Sequence, residues 1–450
     1  MSNWKVMKLS EVATIVGGGT PSSSKSEYFE NGNIPWITPK DLSGYNKRYI
    51  SKGERNITEL GLKNSSAKLL PKNTVLLTSR APIGYVAIAS NEISTNQGFK
   101  SLVLNNGHIP EFFYYLLKNN VHILESRATG STFKEISGQI LKDTELSIPT
   151  PDIQQKIVDI LSPLDDKIEL NTQINQTLEQ IAQALFKSWF VDFDPVRAKV
   201  QALSDGLSLE QAELAAMQAI SGKTPEELTA LSQTQPDRYA ELAETAKAFP
   251  CEMVEIDGVE APRGWEMKAL SDLGQIICGK TPSKSNKEFY GDAVPFIKIP
   301  DMHNQVFITQ TTDNLSVVGA NYQSKKYIPA KSICVSCIAT VGLVSMTSKP
   351  SHTNQQINSI IPDDEQSCEF LYLSLKQPSM TKYLKDLASG GTATFNLNTS
   401  TFSKIEIITP SKEIIYIFQK KVVSIFEKTL SNSIENKRLI YSNNVNTVAL

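Results

Sequence analysis

The sequence predicts an α+β protein in which two homologous globular domains are separated by two long antiparallel helices that form a coiled coil. Two observations carry this prediction. The chain repeats itself over about 150 residues with order and spacing preserved. A stretch with heptad spacing follows each copy of the repeat. Together they predict an internal repeat with pseudo-two-fold character.

The repeat begins at two tryptophans. "WKVMKLSEVATIVGGGTPSS" starts at Trp4, and "WEMKALSDLGQIICGKTPSK" starts at Trp265. Further along, "IPWITPKDL" matches "VPFIKIPDM", and "STNQGF" matches "HTNQQI". In each copy, short runs rich in Val, Ile, Thr and Tyr alternate with Gly, Pro, Asn and Ser, as strands and tight turns require. Each copy is therefore predicted to be an α+β domain with a substantial sheet.

The stretch that follows the first copy carries an apolar seam with heptad spacing. Its predicted interface residues are Leu164, Asn171, Ile174, Leu178, Ile181 and Leu185. Asn171 is a single polar residue of the kind that fixes the register of a coiled coil. A second seam, after the second copy, includes Leu430 and Ile434, with Asn436 close by. Each helix could pack on its own domain, but two seams that follow homologous domains favour packing on each other.

These patterns divide the chain into five segments. The segments are 1–150 (first domain), 151–197 (helical region), 198–262 (spacer), 263–410 (second domain) and 411–450 (distal helical region). The spacer is predicted to be α-helical and acidic, and it has no counterpart in the first copy. Within it, "SGKTPEEL" predicts a helix break followed by a new helix N-terminus.

The composition is typical of a globular protein in a reducing compartment. The 450 residues have a net charge of −2, and the five cysteines form no disulfide framework. No apolar run approaches the roughly 20 residues that span a bilayer, and the N-terminus does not resemble a signal peptide. We therefore expect a cytoplasmic protein with no membrane partner. Residues 1–150 hold 17 basic and 12 acidic side chains, a balance that permits nucleic-acid binding without requiring it.

The segment "GQIICGKT" (274–281) matches the pattern of a phosphate-binding loop. The first copy has Gly18-Gly19-Thr20 in the equivalent place and lacks the lysine, and no apolar helical period follows Thr281. We interpret the match as accidental and keep a P-loop nucleotide hydrolase as the alternative. Cys334 and Cys337 have C-x-x-C spacing but no second ligand pair, which favours buried strand cysteines over a metal site. No nucleophile–base set is present, so the chain is predicted to be non-catalytic and to bind no metal.

Polar loops occur at equivalent places in both copies, and their side chains are of the types that contact phosphates and base edges. The alternatives are that these loops are only turns, or that the protein is a repeat scaffold or carbohydrate-binding module. The candidate DNA-binding residues are Thr20, Ser22, Lys25, Lys40, Arg80, Asn96, Gln97, Lys100, Thr132, Lys134, Thr281, Ser283, Lys284, Lys298, Asn354, Gln355 and Thr392.

The sequence closely resembles the specificity subunit of type I restriction–modification systems over essentially its full length. The strongest local match is "LSPLDDKIELNTQINQTLEQIAQALFKSWFVDFDPVRAK" (161–199), which resembles the central conserved region of that family. "GTPS", "TNQGF" and "ATGST" are similar to its recurrent target-recognition-domain phrases. The distal region 411–450 matches less well.

The resemblance implies a function and a set of partners. Two target recognition domains would each bind one half of a bipartite double-stranded DNA target, with the long helices setting the distance between them. The helical regions would dock two DNA-methyltransferase subunits, which bind S-adenosylmethionine and modify adenine. Two restriction/translocase subunits would hydrolyse ATP with Mg²⁺. By this resemblance, neither cofactor binds to this chain.

Overall fold

The computed structural model describes residues 4–130, 134–389 and 396–448. The chain divides into two compact units: residues 1–171 with 438–450, and residues 172–437. Among the described residues, no helix is both long enough and apolar enough to cross a membrane.

The first unit contains a mixed domain built on short strands. Its strands are β1 (Trp4–Lys8), β2 (Ala13–Gly17), β3 (Ile34–Ile37), β4 (Tyr49–Ile50), β5 (Arg55–Ile57), β6 (Val75–Ser79), β7 (Ile83–Ala89), β8 (Ser94–Thr95), β9 (Lys100–Leu104) and β10 (Glu145–Pro149). Its helices are α1 (Leu9–Val12), α2 (Glu59–Lys63), α3 (Pro110–Asn119), α4 (Val121–Arg127) and α5 (Gly138–Lys142). The long helix α6 (Pro151–Phe190) follows.

The main sheet of the first domain has the order β2-β9-β6-β7-β4. All five residues of β6 are buried, as expected of a central strand covered on both faces. A smaller sheet has the order β5-β3-β8, and β1 pairs with β10. Aromatic side chains of α3, including Phe112 and Phe113, close the core against the main sheet.

The second unit begins with helices and continues with a second mixed domain. Its helices are α7 (Asp194–Ser204), α8 (Leu209–Ser221), α9 (Pro225–Thr234), α10 (Pro236–Ala248), α11 (Ile299–Met302), α12 (Val317–Tyr322), α13 (Cys368–Lys376), α14 (Pro378–Ala388) and α15 (Thr399–Ser403). The long helix α16 (Lys412–Val448) belongs to this unit as far as residue 437. Its strands are β11 (Met253–Ile256), β12 (Val259–Pro262), β13 (Glu266–Ala269), β14 (Gly274–Cys278), β15 (Tyr290–Gly291), β16 (Val294–Ile297), β17 (Phe307–Ile308), β18 (Asp313–Leu315), β19 (Ile333–Ser336), β20 (Val344–Thr347), β21 (His352–Thr353), β22 (Ile357–Pro362) and β23 (Glu406–Thr409).

The second domain repeats the topology of the first. Its main sheet has the order β14-β22-β19-β20-β17, and a smaller sheet contains β18-β16-β21 in the order of β5-β3-β8. The pair β13–β23 corresponds to β1–β10. The predicted internal repeat of α+β domains is therefore confirmed at the level of strand order.

The spacer is helical over most of its length, as predicted, but it ends in a hairpin. The Thr224 side chain accepts a hydrogen bond from the Glu227 amide at the start of α9, and Gly222 ends α8 in the left-handed region. The hairpin β11–β12 turns at Asp257 and Gly258, both with positive φ. An Asp-Gly pair favours this tight turn, and we overlooked it in predicting a wholly helical segment.

In the second unit, α6 and α16 run antiparallel. The Nδ2 of Asn436 donates to the Oγ1 of Thr172 at 3.3 Å, and the Nδ2 of Asn432 donates to the Oδ1 of Asn175 at 2.9 Å. Nearer the end of α6, the ring of Phe186 lies 6.0 Å from that of Phe418. Residue numbers rise along one helix as they fall along the other. The predicted antiparallel packing of the two helices is confirmed.

The seam between these helices has a different phase from the predicted one. Ile181 and Ile434 are 51% and 37% exposed, so neither is buried in the seam. Leu178, Leu185 and Leu430 are half-buried, as are Leu164, Ile174 and Asn436, whereas Asn171 is buried. On α6 the most buried positions of the second unit are Ala182, Phe186, Trp189 and Phe190, and on α16 they include Val422, Thr429 and Asn432.

The seam was misplaced because the same leucines of a heptad pattern can belong to either of two neighbouring seams. Leu178 can pair with a position three residues on, Ile181, or four residues on, Ala182. The apolar side chain at 181 suggested the first, but the structure buries the second. The helix runs without a break from Pro151 to Phe190, through Pro163.

Candidate nucleic-acid interface

A glycine loop crosses a tight turn at the same place in both domains. A Cβ on Gly18 would lie 1.9 Å from the carbonyl oxygen of Asn96, and a Cβ on Gly279 would lie 2.1 Å from that of Asn354. No side chain fits at such distances, so the glycines are required by close backbone approach. The loop that follows each glycine is thereby held against the turn.

The same geometry argues against the P-loop alternative. The backbone N–H of Lys280 donates to the carbonyl of Thr353 at 3.0 Å and is not free to bind phosphate. The next regular element is a single 3-10 turn at Lys287–Phe289, whereas a phosphate-binding loop opens a helix. The match at 274–281 is a packing feature of the repeat.

Polar side chains on these loops pair with the adjacent turn. In the first domain the hydroxyl of Thr20 donates to the Oε1 of Gln97, and in the second Thr281 donates to Gln355. All four side chains belong to the predicted set. The structure brings them together in two equivalent pairs.

Serines follow each of these threonines. The hydroxyls of Ser22 and Ser24 are 2.9 Å apart, and those of Ser283 and Ser285 are 2.7 Å apart. Lys25 donates to the phenol of Tyr28 at 3.1 Å, and this hydrogen bond raises the lysine pKa. These side chains are hydroxyl donors and a cation on an exposed loop.

Asn96 and Asn354 have a structural role that we did not predict. The Oδ1 of Asn96 accepts from the amide of Gly98 at 2.9 Å, and that of Asn354 accepts from Gln356 at 3.1 Å. Asn354 is 7% exposed. Because both side chains accept hydrogen bonds from the backbone of the turn, they position the exposed Gln97 and Gln355.

Two predicted cations of the first domain share one carboxylate. An Nη of Arg80 lies 3.4 Å from Glu135, and the Nζ of Lys100 lies 3.6 Å from the other oxygen of that carboxylate. Lys134, the neighbour of Glu135, is exposed. Ser79, beside Arg80, donates its amide to the carbonyl of Gly98 at 2.7 Å, which places this cluster beside the turn that carries Gln97.

Lys40 lies at the same turn. A Cβ on Gly98 would be 2.9 Å from the ring of Pro39, so the loop that carries Lys40 borders this surface. The Nζ of Lys40 is 2.8 Å from the carboxylate of Glu54, and this hydrogen bond raises the pKa of the lysine. Arg80, Lys100 and Lys40 thus lie around one turn, but two carboxylates partly neutralise them.

Two of the predicted cations belong to the second domain. Lys298 pairs with Asp313 and lies 5.7 Å from the ring of Phe296, while Lys284 is exposed. The amide of Asn354 donates to Ile297 at 3.0 Å, which places Lys298 beside the turn. The remaining predicted residues, Thr132 and Thr392, lie outside the described residues.

Two exposed aromatic features were missed. Tyr322 is 66% exposed and stacks on Phe289 with ring centroids 4.7 Å apart. Val317 and Val318, on the same short helix, are 58% and 57% exposed. In the first domain the Arg55 guanidinium lies 4.2 Å from the ring of Phe29. Comparing the repeats could have indicated Tyr322, because the first copy has Asn64 at the equivalent position.

A buried arginine links the first domain to α6. Arg48 is 9% exposed, and its guanidinium donates to Asp166 at 2.8 Å and to the phenol of Tyr115 at 3.1 Å. The Tyr115 hydroxyl donates in turn to Asp165 at 2.7 Å, and burial raises its pKa. This network holds the segment that carries Arg48 against α6.

Cys334 and Cys337 form neither a disulfide nor a metal site with the other described residues. Cys334 and Cys337 are buried and unbonded to each other, and burial raises the pKa of Cys334 to about 12. Among the described residues, no group of His, Cys, Asp and Glu is arranged to hold a metal ion. The two thiols behave as core side chains.

Comparisons with known proteins agree with this arrangement of domains. Residues 1–180 and 262–441 match a family model described as the type I restriction modification DNA specificity domain. The chain is 69% identical over 455 aligned positions to the HindI specificity subunit of Haemophilus influenzae, covering 98% of this chain and 96% of that protein. It is 32% identical over 438 positions to the MjaIX specificity subunit of Methanocaldococcus jannaschii, covering 96% and 88%.

A solved structure has a similar fold. The S subunit of a type I restriction–modification system from M. genitalium superposes with a TM-score of 0.52, at 15% identity and over 99% of this chain and 95% of that one. At this identity the likeness supports the architecture of paired domains and long helices.

Proposed function

Because the chain belongs to the family of type I restriction–modification DNA specificity subunits, we propose that it binds a bipartite double-stranded DNA target, with one half-site for each domain. The chain is itself a non-catalytic subunit of such a system. The observation that carries the proposal is a shared scaffold whose exposed side chains differ. Both domains hold a Thr–Gln pair on a glycine loop, beside which the first has Arg80 and the second has Ile338.

The chemistry of the two surfaces fits different base sequences. Arg80, Lys100 and Lys40 give the first domain guanidinium and ammonium donors, which suit phosphates and guanine edges. The second domain adds the exposed Val317, Val318 and Tyr322. Apolar side chains contact thymine methyl groups, and aromatic rings stack on bases. Two surfaces of unlike chemistry on one scaffold suit two unlike half-sites.

The partners in this proposal are protein subunits that carry the chemistry. Two DNA-methyltransferase subunits would bind S-adenosylmethionine and modify adenine, and two restriction subunits would use ATP and Mg²⁺. Exposed apolar side chains on the long helices, such as Ile181 on α6 and Ile434 on α16, are suited to protein contacts. The chain would direct these subunits to the target.

Exchange of one domain tests the proposal. Residues 1–150 are replaced by the same region of another family member, the complex is expressed with its methyltransferase, and adenine methylation is mapped by single-molecule sequencing. We expect one half of the methylated sequence to change and the other to stay. The reciprocal exchange of residues 263–410 is the control and should change the other half. If either exchange alters both halves of the methylated sequence, or neither half, the proposal of one half-site for each domain is wrong.

A further inference from the structure

The first domain contains a cavity of about 130 Å³ that no described side chain fills. Trp4, Phe112 and Ile157 form an apolar wall, and the other lining residues are Tyr115, Leu116, Asn119, Asn120 and Ser147. We call this cavity the Trp4 socket. It lies where β1, α3 and α6 meet, on residues of the first unit alone.

The second domain has the same three wall positions, and there they are covered. The internal repeat matches Trp4 with Trp265, Phe112 with Phe370 and Ile157 with Phe418. The ring of Phe190, at the end of α6, lies 5.8, 5.2 and 4.9 Å from these three rings. One aromatic side chain therefore occupies the space that no described side chain fills in the first domain.

The two equivalent tryptophans differ in exposure in the way this arrangement requires. Trp265 is 4% exposed beneath Phe190, whereas Trp4 is half-buried. An apolar wall with a polar border is typical of a site that receives a side chain from another protein.

We propose that the Trp4 socket is a docking site for an aromatic side chain carried on a helix of a protein partner. The chemistry of the occupant follows from Phe190, which fills the equivalent space with a phenyl ring at a helix end. The volume suits one ring, since cavities of roughly 150 Å³ hold benzene. A second copy of this chain is a poor occupant because its own Phe186, Trp189 and Phe190 are 3%, 1% and 6% exposed. The inference does not depend on DNA recognition.

A peptide from this chain is the probe. A fluorescein-labelled peptide of residues 180–193, which carries Phe190, is titrated with the full-length protein and followed by fluorescence anisotropy. We expect saturable binding that weakens about tenfold or more when the peptide carries Phe190→Ala, because the ring supplies most of the buried area. The same weakening is expected when Ser147→Phe fills the socket from β10.

Glu145→Phe is the matched control. It places the same ring on the same exposed face of β10, two residues away and outside the socket, and should leave peptide binding unchanged. If Ser147→Phe lowers the melting temperature, Ser147→Asp replaces it, because a docked ring would remove this carboxylate from water and binding should weaken. Absence of binding, or equal binding by the socket-filled variant or the Phe190→Ala peptide, would overturn the proposal. A concentration-dependent dimer that Ser147→Phe abolishes would identify a second copy as the occupant and would also overturn it.

Discussion

Asn175 and Asn432 face each other across the two long helices of the second unit, and the Nδ2 of Asn432 donates to the Oδ1 of Asn175 at 2.9 Å. The Nδ2 of Asn175 donates in turn to the carbonyl of Thr429 at 3.2 Å and to the hydroxyl of Ser433 at 3.1 Å. Asn432 is 1% exposed. The centre of this helix pair is therefore a hydrogen-bonded polar layer, which fixes the register of one helix against the other.

Replacement of Asn175 with alanine should destabilise the second unit. The buried amide of Asn432 would lose its acceptor, and an unsatisfied buried polar group costs about 1–3 kcal/mol. Urea denaturation of the full-length chain measures the loss in the free energy of unfolding. Gln176→Ala, at the next and exposed position of the same helix, is the control and should have little effect. Equal losses for the two variants would contradict the role of the polar layer.

This layer also shows where the sequence was insufficient. Heptad spacing correctly identified Leu178 and Leu185 as partly buried, but it placed Ile181 beside them in the seam. A pattern of apolar residues cannot reveal a seam whose central positions are Asn175, Thr429 and Asn432, because polar residues are expected on the solvent side until their partners are known.

Gly18→Ala should destabilise the first domain, whereas Gly17→Ala should not. A Cβ on Gly18 would meet the carbonyl oxygen of Asn96 at 1.9 Å, and the backbone there cannot move without opening the turn. Overpacking of this kind costs about 1–3 kcal/mol, occasionally more. A Cβ on Gly17 meets only the Lys100 side chain, at 3.9 Å. Thermal unfolding of the two variants checks the contrast, and similar melting temperatures would show that the close approach is unimportant.

His352 should make the second domain less stable at mildly acidic pH. The ring is fully buried beside Tyr327 and Gln323, and burial lowers its pKa to about 4. The unfolded chain, with a pKa near 6.5, then binds the proton more tightly than the folded one. The free energy of unfolding should therefore fall as the pH drops from about 6.5 towards 4, by up to roughly 3 kcal/mol.

The control for this prediction comes from the other half of the chain. Ser94 is the residue of the first domain that matches His352, so His352→Ser introduces a side chain that the scaffold already accommodates. Urea denaturation at pH 7.5 and pH 4.5 should show a smaller pH-dependent loss for this variant than for the parent chain. An unchanged pH dependence would assign the effect to other groups.

The candidate interface could be predicted in part because the repeat aligns loops with loops. The repeat identified Thr20, Gln97, Thr281 and Gln355 as candidates. The structure places Thr20 in contact with Gln97 and Thr281 in contact with Gln355. The repeat could not distinguish Gln97 from Asn96, which lies on the same short segment but accepts a hydrogen bond from the amide of Gly98. That difference depends on the hydrogen bonds of the folded turn, and the stacking of Tyr322 on Phe289 likewise depends on segments that meet only in the fold.

Glu135 should weaken the binding of DNA by the first domain. Its carboxylate pairs with both Arg80 and Lys100, at 3.4 and 3.6 Å, so a phosphate must compete with it for either cation. Glu135→Gln removes the negative charge and keeps the size of the side chain. We expect tighter binding of the assembled complex to all DNA sequences, and a plot of log K against log salt that is steeper by about one, because the slope is about −0.9 for each neutralised phosphate.

Variants of Arg80 and Lys100 test whether Glu135→Gln increases the DNA affinity through these two cations or only through the change in net charge. Lys100→Ala should weaken binding to every sequence and reduce the salt slope by about one, whereas Arg80→Ala should cost roughly 1–3 kcal/mol and relax one base position if the guanidinium contacts a base edge. In the Arg80→Ala/Lys100→Ala background, Glu135→Gln should no longer increase the affinity, because no cation is left to release. Glu145→Gln removes a charge elsewhere in the domain and should leave the salt slope unchanged. If Glu135→Gln has the same effect in both backgrounds, or if the two cation variants bind like the parent complex, this cluster does not contact DNA.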